Sequence, residues 1–543
     1  MSLSTTTQDA SWRRLSPRML LVLPVRELGR YVPALLGLVV AGRSLDDGQW
    51  WWGPLGVLGV IALSVLRWAT TRYRITPVQV QLRTGLLNRR TIATPADRVR
   101  SVDLTASALH RILGLAKVDI GTGSQDKENG LSLDSLPAAE ARALRTELLH
   151  RSAVVSPDVP AAAASEGLTT ADAVAHGGDD TELARLDLRW VRFAPFTMSG
   201  VLGAAVIFGV GSRLVDQFGI EADSLGPVRG ALDYLERSPI WVDVLQGLLG
   251  FVAFVTVLSV GGYVLSYWGF RLSRHARGSL HTTRGLLTTR ATSIEERRLR
   301  GIELSEPLLL RAVHAARLSG ITTGLKSGEG TAGGSSLLLP PAPYTVVLEV
   351  AAQILRDPAP VEVSLTAHGP AARRRRFIRA LVPALALVAA AGVAIWAGAP
   401  PWLALPAIAT LPVAVMLAAD RYRSLGHALA GSFLVTQQGS LGRHRDVLER
   451  DGIIGWNLRQ TFFQRRAGLA SLTATTAAGR QAYTVTDVPL PMALLFGTRA
   501  LPGLLGDFLA SDPVPATSQP ANQPTSQPAN QPRRPTPVTG RGD

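Results

Sequence analysis

Cysteine is absent from this 543-residue chain. That excludes disulfides, thiol nucleophiles and cysteine-type zinc sites. Lysine is nearly absent as well, at positions 117, 127 and 326 only, so arginine carries the net charge of +15. The histidines fall in neither HxxxH nor HExxH spacing, and neither a GxSxG elbow nor a Walker phosphate loop occurs. "GEGTAGGSS" at 328–336 is glycine-rich but lacks the lysine of a phosphate loop, and reads as a flexible connection. The expectation is therefore a protein that is not an enzyme and holds no metal or cofactor. Charged residues are scarce at 18% against 46% hydrophobic, with mean hydropathy +0.18. That is too apolar for a soluble assembly of this length, and points to membrane segments. The basic balance fits nucleic acid, anionic lipid or positive-inside loops. The arginines are scattered and not interleaved with aromatics, so nucleic acid ranks last.

A bilayer needs about 20 apolar residues per helix. Six runs qualify by composition: 31–42, 50–66, 196–212, 248–270, 380–398 and 402–419. The first is short and lies between Arg30 and Arg43, so it spans only by using its flanks, its arginines snorkelling outward. The last two are separated by Ala399-Pro400-Pro401, which reads as a tight helical hairpin. Paired in order, the runs make three hairpins. Arginines crowd the outer flank of every pair, including Arg373, Arg374, Arg375 and Arg376 before the fifth run. The positive-inside rule then places both termini and every large connection in the cytoplasm of a multi-pass protein. The short apolar run "MLLVLPV" is followed at once by Arg26-Glu27 and is not a cleavable signal.

Between the hairpins the chain repeats itself. "LRTGLLNRR" at 82–90, "TTRGLLTTR" at 282–290 and "TQQGSLGRH" at 436–444 align on Gly85, Gly285 and Gly439. No gap is then needed as far as Val118, Leu318 and Leu472, and apolar positions coincide: Val102, Ile302 and Trp456; Leu104, Leu304 and Leu458. Arg111, Arg311 and Arg465 fall in register, as do Arg98 and Arg298, with Gly452 in the third copy. A repeat of this length implies three copies of one domain. Each copy reads as short alternating strands, a turn at the glycine, a short helix and a closing amphipathic helix, such as the one opening at Pro137. The glycines need no explanation beyond the turn. The arginines have two readings: local clamps on carbonyls or on carboxylates such as Asp103 and Glu303, or contacts to anionic headgroups or a partner. The run Arg373, Arg374, Arg375 and Arg376 is equally a topology signal and a lipid contact.

"YRIT", "GLLNRRTIATPADRVRSVDL" and "ALHRILGLAKVDI" in the first copy closely resemble the bacterial pleckstrin-homology (PH) domain of the second subfamily. The alternation of such domains with membrane hairpins resembles the YdbT-type membrane proteins of bacteria. The second copy departs from the pattern at Gly301 and His314, and the third at Gly452. The resemblance implies a membrane α plus β architecture: six transmembrane helices in three hairpins alternating with three PH-like β-barrels, each capped by a C-terminal helix. The expected segments are an N-terminal hairpin (1–71), domain one (72–152), a flexible linker (153–188), a second hairpin (189–270), domain two (271–356), a basic linker with the third hairpin (357–420), domain three (421–510) and a disordered Pro-rich tail (511–543). It also implies protein or lipid-headgroup binding, with a smaller PH-domain membrane protein or a second copy as partner, and a role in envelope stress or resistance to membrane-active peptides. The alternative is a component of a transport or export system, for which the spans offer almost no ionisable residues.

Overall fold

The computed structural model describes residues 12–22, 58–59, 61–62, 65–66, 68–76, 79–85, 89–95, 99, 101–121, 131–145, 181–218, 239–276, 278–323 and 336–503. The span expected at 31–42, most of that at 50–66, Arg98 and the tail lie outside these residues.

Domain one contributes β1 (Arg13–Arg14), β2 (Arg72–Ile75), β3 (Gln79–Thr84), β4 (Arg90–Pro95), β5 (Ser101–Ala106), short helix α1 (Ala108–Ile112), β6 (Leu115–Gly121) and β7 (Leu131–Pro137), with residues 138–145 helical behind them. Domain two repeats the order: β8 (Thr181–Arg185), apolar helices α2 (Met198–Phe218) and α3 (Ile240–Tyr267), β9 (Arg271–His275), β10 (Ser279–Arg284), β11 (Thr289–Glu295), β12 (Leu299–Pro307), α4 (Leu308–Ala312), β13 (Ala315–Thr322), β14 (Leu337–Pro343) and α5 (Tyr344–Leu355). Domain three has membrane helices α6 (Gly369–Trp396) and α7 (Ala404–Arg423), β15 (Gly426–Ala430), β16 (Phe433–Gln438), β17 (Gly442–Glu449), β18 (Ile453–Arg459), α8 (Phe462–Arg466), β19 (Leu469–Thr476), β20 (Ala482–Pro489) and α9 (Leu490–Ala500). The three turn glycines all sit at positive φ, +99° at Gly85 and +107° at Gly285 and Gly439. A side chain at Gly285 or Gly439 would overlap the carbonyl closing the turn, so the repeated phrase is a structural hairpin.

Three self-contained barrels are not what these strands form. No described sheet closes on itself. Each domain has a first and a second sheet, and the second sheet of one domain continues into the first sheet of the next. β7-β6-β5 runs on into β11-β10-β9-β8, and β14-β13-β12 into β17-β16-β15. The reason is an exposed strand edge: β5 and β12 each present unpaired backbone N–H and C=O groups, and the following domain supplies the complementary antiparallel strand. The shared sheets bury both faces. In β16 and β17, Val435 and Val447 enter the core of domain two, while their neighbours Leu434 and Leu448 enter that of domain three. Alternation along a strand thus feeds two cores at once. The pairing of β8 with β9 places Thr181–Arg185 of the 153–188 stretch in this sheet, a strand with no alternation to announce it.

Three described helices are long and apolar enough to cross a membrane: Ile240–Tyr267, Gly369–Trp396 and Pro401–Arg423. A fourth counts if the pair Leu188–Phe196 and Ser199–Gly209, bent by 58°, is one span. Helices α6 and α7 form the expected hairpin around Pro400 and Pro401, packed through Ala384, Ala407, Ala414 and Ala418. In the other pair, Gly200 of α2 lies on α3 so closely that a Cβ would overlap Ser259 Oγ and come within 2.7 Å of the Val255 carbonyl oxygen. Small residues permit such approach between membrane helices. Gly200→Val should therefore push α2 off α3 at a cost of about 1–3 kcal/mol, read as a lower thermal midpoint in detergent and faster cleavage in 181–218.

Candidate functional site

The chemistry-bearing residues gather at the two junctions between domains. Arg111, for which the sequence leaves both a local clamp and a headgroup or partner contact open, donates to the carbonyl oxygen of Leu286, in the hairpin tip of the next domain. Arg311 reaches forward in the same way, to Asp420 Oδ1 at 2.7 Å, where α7 ends. Asp420 also accepts from Ser440 Oγ of the third hairpin tip. Neither arginine engages Asp103 or Glu303. Arg465, the third member, is exposed, and its side chain makes no hydrogen bond or ion pair with a described residue. Arg298 points backward: it donates to Val99 O of domain one at 2.8 Å and pairs with Glu295 at 2.9 Å. The third copy lacks this arginine because Gly452 packs against the side chain of Arg300, which itself pairs with Glu449 across the junction.

The basic run divides by helical geometry. Arg375 and Arg376 turn inward to the buried Asp487, at 3.3 and 2.9 Å, while Arg373 and Arg374 face out, Arg373 over the Phe377 ring. The run is the start of α6 and not a linker; positions 375 and 376 lie one turn from the helix face that α6 lays against β20.

Each junction also buries a polar cluster. At the first, Arg145 donates to Ser293 Oγ and meets the His281 ring. Burial, with the charge of Arg145 beside it, pushes His281 down to about 3. Burial lifts the Asp103 carboxyl to about 6. At the second, Glu303 and Asp446 stand directly opposite each other across the β12–β17 ladder. Arg480 pairs with Asp446 at 2.7 Å and His444 with Glu303 at 2.9 Å. Burial raises Asp446 to about 7 against the pull of Arg480. Burial also opposes ionisation of Glu303, but His444 and Arg480 hold it below the usual carboxylate range. Because the folded-state pKa of Asp446 is raised, the native junction binds the proton that the unfolded chain releases near pH 4. Its contribution is complete below that pH and is lost as pH rises through about 7. Amide protection in β12 and β17, corrected for intrinsic exchange, should fall between pH 5 and 8. Asp446→Asn should flatten the profile. Protection that rises with pH would sink this assignment.

Between domains one and two lies a cavity of about 580 Å³, lined by Arg111, Arg142, Arg284, Arg290, Trp268 and hairpin-tip backbone, with no carboxylate in its wall. Arg284 is buried there, over the Tyr267 ring. The cavity lies where the hairpin tip bonds the end of α3, through Gly285 N to Trp268 O and Leu286 N to Leu265 O. Exposed Leu286, Leu287, Leu308, Leu309 and Leu441 mark the hairpin tips and short helices of this side. Sequence reasoning missed Arg142, Arg284 and Arg290, since nothing in their spacing shows that two domains bring them together. Among the described residues no cluster of His, Cys, Asp and Glu could hold a metal ion.

Residues 21–152 and 377–495 match the family model of the bacterial PH domain. The chain is 21% identical over 292 residues to the UPF0699 transmembrane protein YdbT of Bacillus subtilis (strain 168), covering 53% of this chain and 57% of that protein. No solved structure matches. The middle domain lies outside the matched regions, yet its strands repeat the order of its neighbours and Gly285 and Leu304 keep their registers. Two separate stretches of the chain thus match the bacterial PH domain, and the chain is similar to a YdbT-type transmembrane protein.

Proposed function

We propose that the chain is a non-enzymatic membrane scaffold of six spans in three hairpins, holding three PH-like domains as one array at the cytoplasmic face of a bacterial membrane. The observation that carries this reading is the continuity of the sheets: domains joined strand to strand, with Arg111 and Arg298 bridging the first junction and Arg311 the second, form a fixed surface. The array's work is to bind a protein partner and phospholipid headgroups. Affinity purification from cross-linked membranes, with mass spectrometry and a size measurement, tests it. A stoichiometric partner or defined homo-oligomer is expected; a lone monomer would move attention to solute transport through the helices.

The headgroup part of the reading rests on the arginine-lined cavity. Guanidinium groups recognise phosphate through paired hydrogen bonds, and the low dielectric beside the membrane strengthens each contact. Replacing Arg142 and Arg290 together by glutamine should reduce the anionic phospholipid retained on purification by about a hundredfold or more, at about 1.5–3 kcal/mol per charged hydrogen bond. Zwitterionic lipid should be unaffected, and native mass spectrometry reads both. Equal retention by the variant would exclude the cavity as the headgroup site.

A further inference from the structure

The two junctions use one register. With the hairpin glycines aligned, Asp103 faces Thr292 and the equivalent Glu303 faces Asp446; Val102 faces Ser293 and Ile302 faces Val447. β18 is the third strand of this type, equivalent to β5 and β12. It ends its sheet with no pairing partner among the described strands. At the other end of the array, β4 is equivalent to β11 and β17 and also ends its sheet. The chain therefore carries one of each complementary edge.

Resting on the scaffold reading, we propose that β18 of one chain pairs with β4 of a second copy, adding the next array head to tail in the register of the internal junctions. Three independent features support a strand missing from β18. Its core-type leucine is uncovered: Leu104 and Leu304 are 9% and 0% exposed, Leu458 39%. The forward clamp is unengaged: Arg111 and Arg311 hold the following domain, while Arg465 holds no described residue. The edge is also kept clear. Gly301 at the second junction accommodates the Val447 carbonyl of the incoming strand, and the third copy keeps a glycine, Gly455, at the equivalent position, where a Cβ would meet only Thr475 Oγ1 of its own sheet, at 3.4 Å. A second copy is the occupant because it brings β4, a first-sheet strand of the kind that fills both internal junctions. Such head-to-tail addition closes into rings or continues as filaments, depending on the rotation per junction. In this register Asn457 faces Ile92, and Arg459 faces Arg90, a like-charge pair that weakens the contact without blocking it.

The cysteine-free chain makes the test clean. Full-length chains bearing Ile92→Cys and Asn457→Cys, separately tagged and co-expressed, are oxidised in membranes. Directly opposed antiparallel residues lie about 4.5–5.5 Å apart, within disulfide reach. A two-tag disulfide dimer is expected. Thr94→Cys with Asn457→Cys, out of register, should give about a tenth of that yield or less, because strand slippage of two residues moves the pair beyond reach. Arg459→Glu should raise the in-register yield roughly two- to fivefold by turning repulsion into attraction. Ala106→Cys with Thr289→Cys, directly paired within one chain, reports on folding and oxidation in every sample. The inference is overturned if that internal bond forms without the two-tag dimer, if the dimer is insensitive to register, or if Asn457→Cys captures a different protein. A homo-oligomer or partner found by cross-linked purification without the 92–457 bond leaves the scaffold standing and removes only this contact.

Discussion

Replacing Gly301 by valine should part domains two and three and open the side of domain two's core that Val435 and Val447 fill. Gly301 holds φ +151°, and a Cβ there would overlap the Val447 carbonyl oxygen of β17. The atom in the way is ladder backbone, which cannot rotate aside as a side chain does. The overlap costs about 1–3 kcal/mol as overpacking, and the unfavourable backbone region adds about 1–3 kcal/mol. A shared strand edge has no other place to absorb that strain. The second junction is the longer of the two, with seven residue pairs against five, and its ladder includes the pair Gly301 with Leu448, whose counterpart at the first junction is missing. Hydrogen exchange should show lost protection in β12 and β17, with β19 and β20 retained. Arg480 would lose its hold on Glu303, so cleavage beyond 440 should accelerate. Gly301→Ala should give a smaller shift of the same kind. A valine variant with wild-type protection in β17 would mean that the junction is not built on this close approach.

The repeat, the turn glycines, the amphipathic closing helices and the paired apolar helices α6 and α7 were legible because each depends on local pattern: period two, period 3.6, or a positive φ that glycine supplies. Ala141 and Leu144 face the core of domain one as their spacing requires. The edge-to-edge joining was not legible. β12 and β17 are separated by over a hundred residues, and the charged residues of β17, GRHRDVLE, do not announce a strand that joins two cores. The same gap explains the arginines. Their repetition identified Arg111, Arg311 and Arg298 as purposeful, but the partners Leu286, Asp420 and Val99 belong to a neighbouring domain. The departures at Gly301 and Gly452, which weaken the family resemblance, have physical causes at the second junction: one makes room for a carbonyl, the other for Arg300.

Asp487→Ala should release the third domain from the helix that anchors it. The Asp487 carboxylate is buried and receives Arg375 at 3.3 Å, Arg376 at 2.9 Å and the Gln464 amide at 2.8 Å. Alanine removes the one acid that faces both guanidinium groups and leaves two positive charges side by side at the start of α6. Breaking a buried pair from one side costs about 3–5 kcal/mol. Both arginines keep some contact with solvent, which moves the expectation to the lower end of that range. A further cost of about 1 kcal/mol comes from the backbone, since residue 487 sits at φ +59°, a region aspartate tolerates better than alanine. Asp487→Asn separates the two effects. It keeps the left-handed conformation and an acceptor for Gln464 but removes the charge, so its loss should be smaller than that of alanine by about the backbone cost. Exchange in β20 and α8 and the thermal midpoint of the detergent-solubilised chain give the measurements. If Ala and Asn variants were equally and only slightly destabilised, Arg375 and Arg376 would be free to serve as lipid contacts alongside Arg373 and Arg374. If the order is wild type, Asn, Ala with gaps of this size, half of the basic run is structural, and only its outward half is available to the membrane surface.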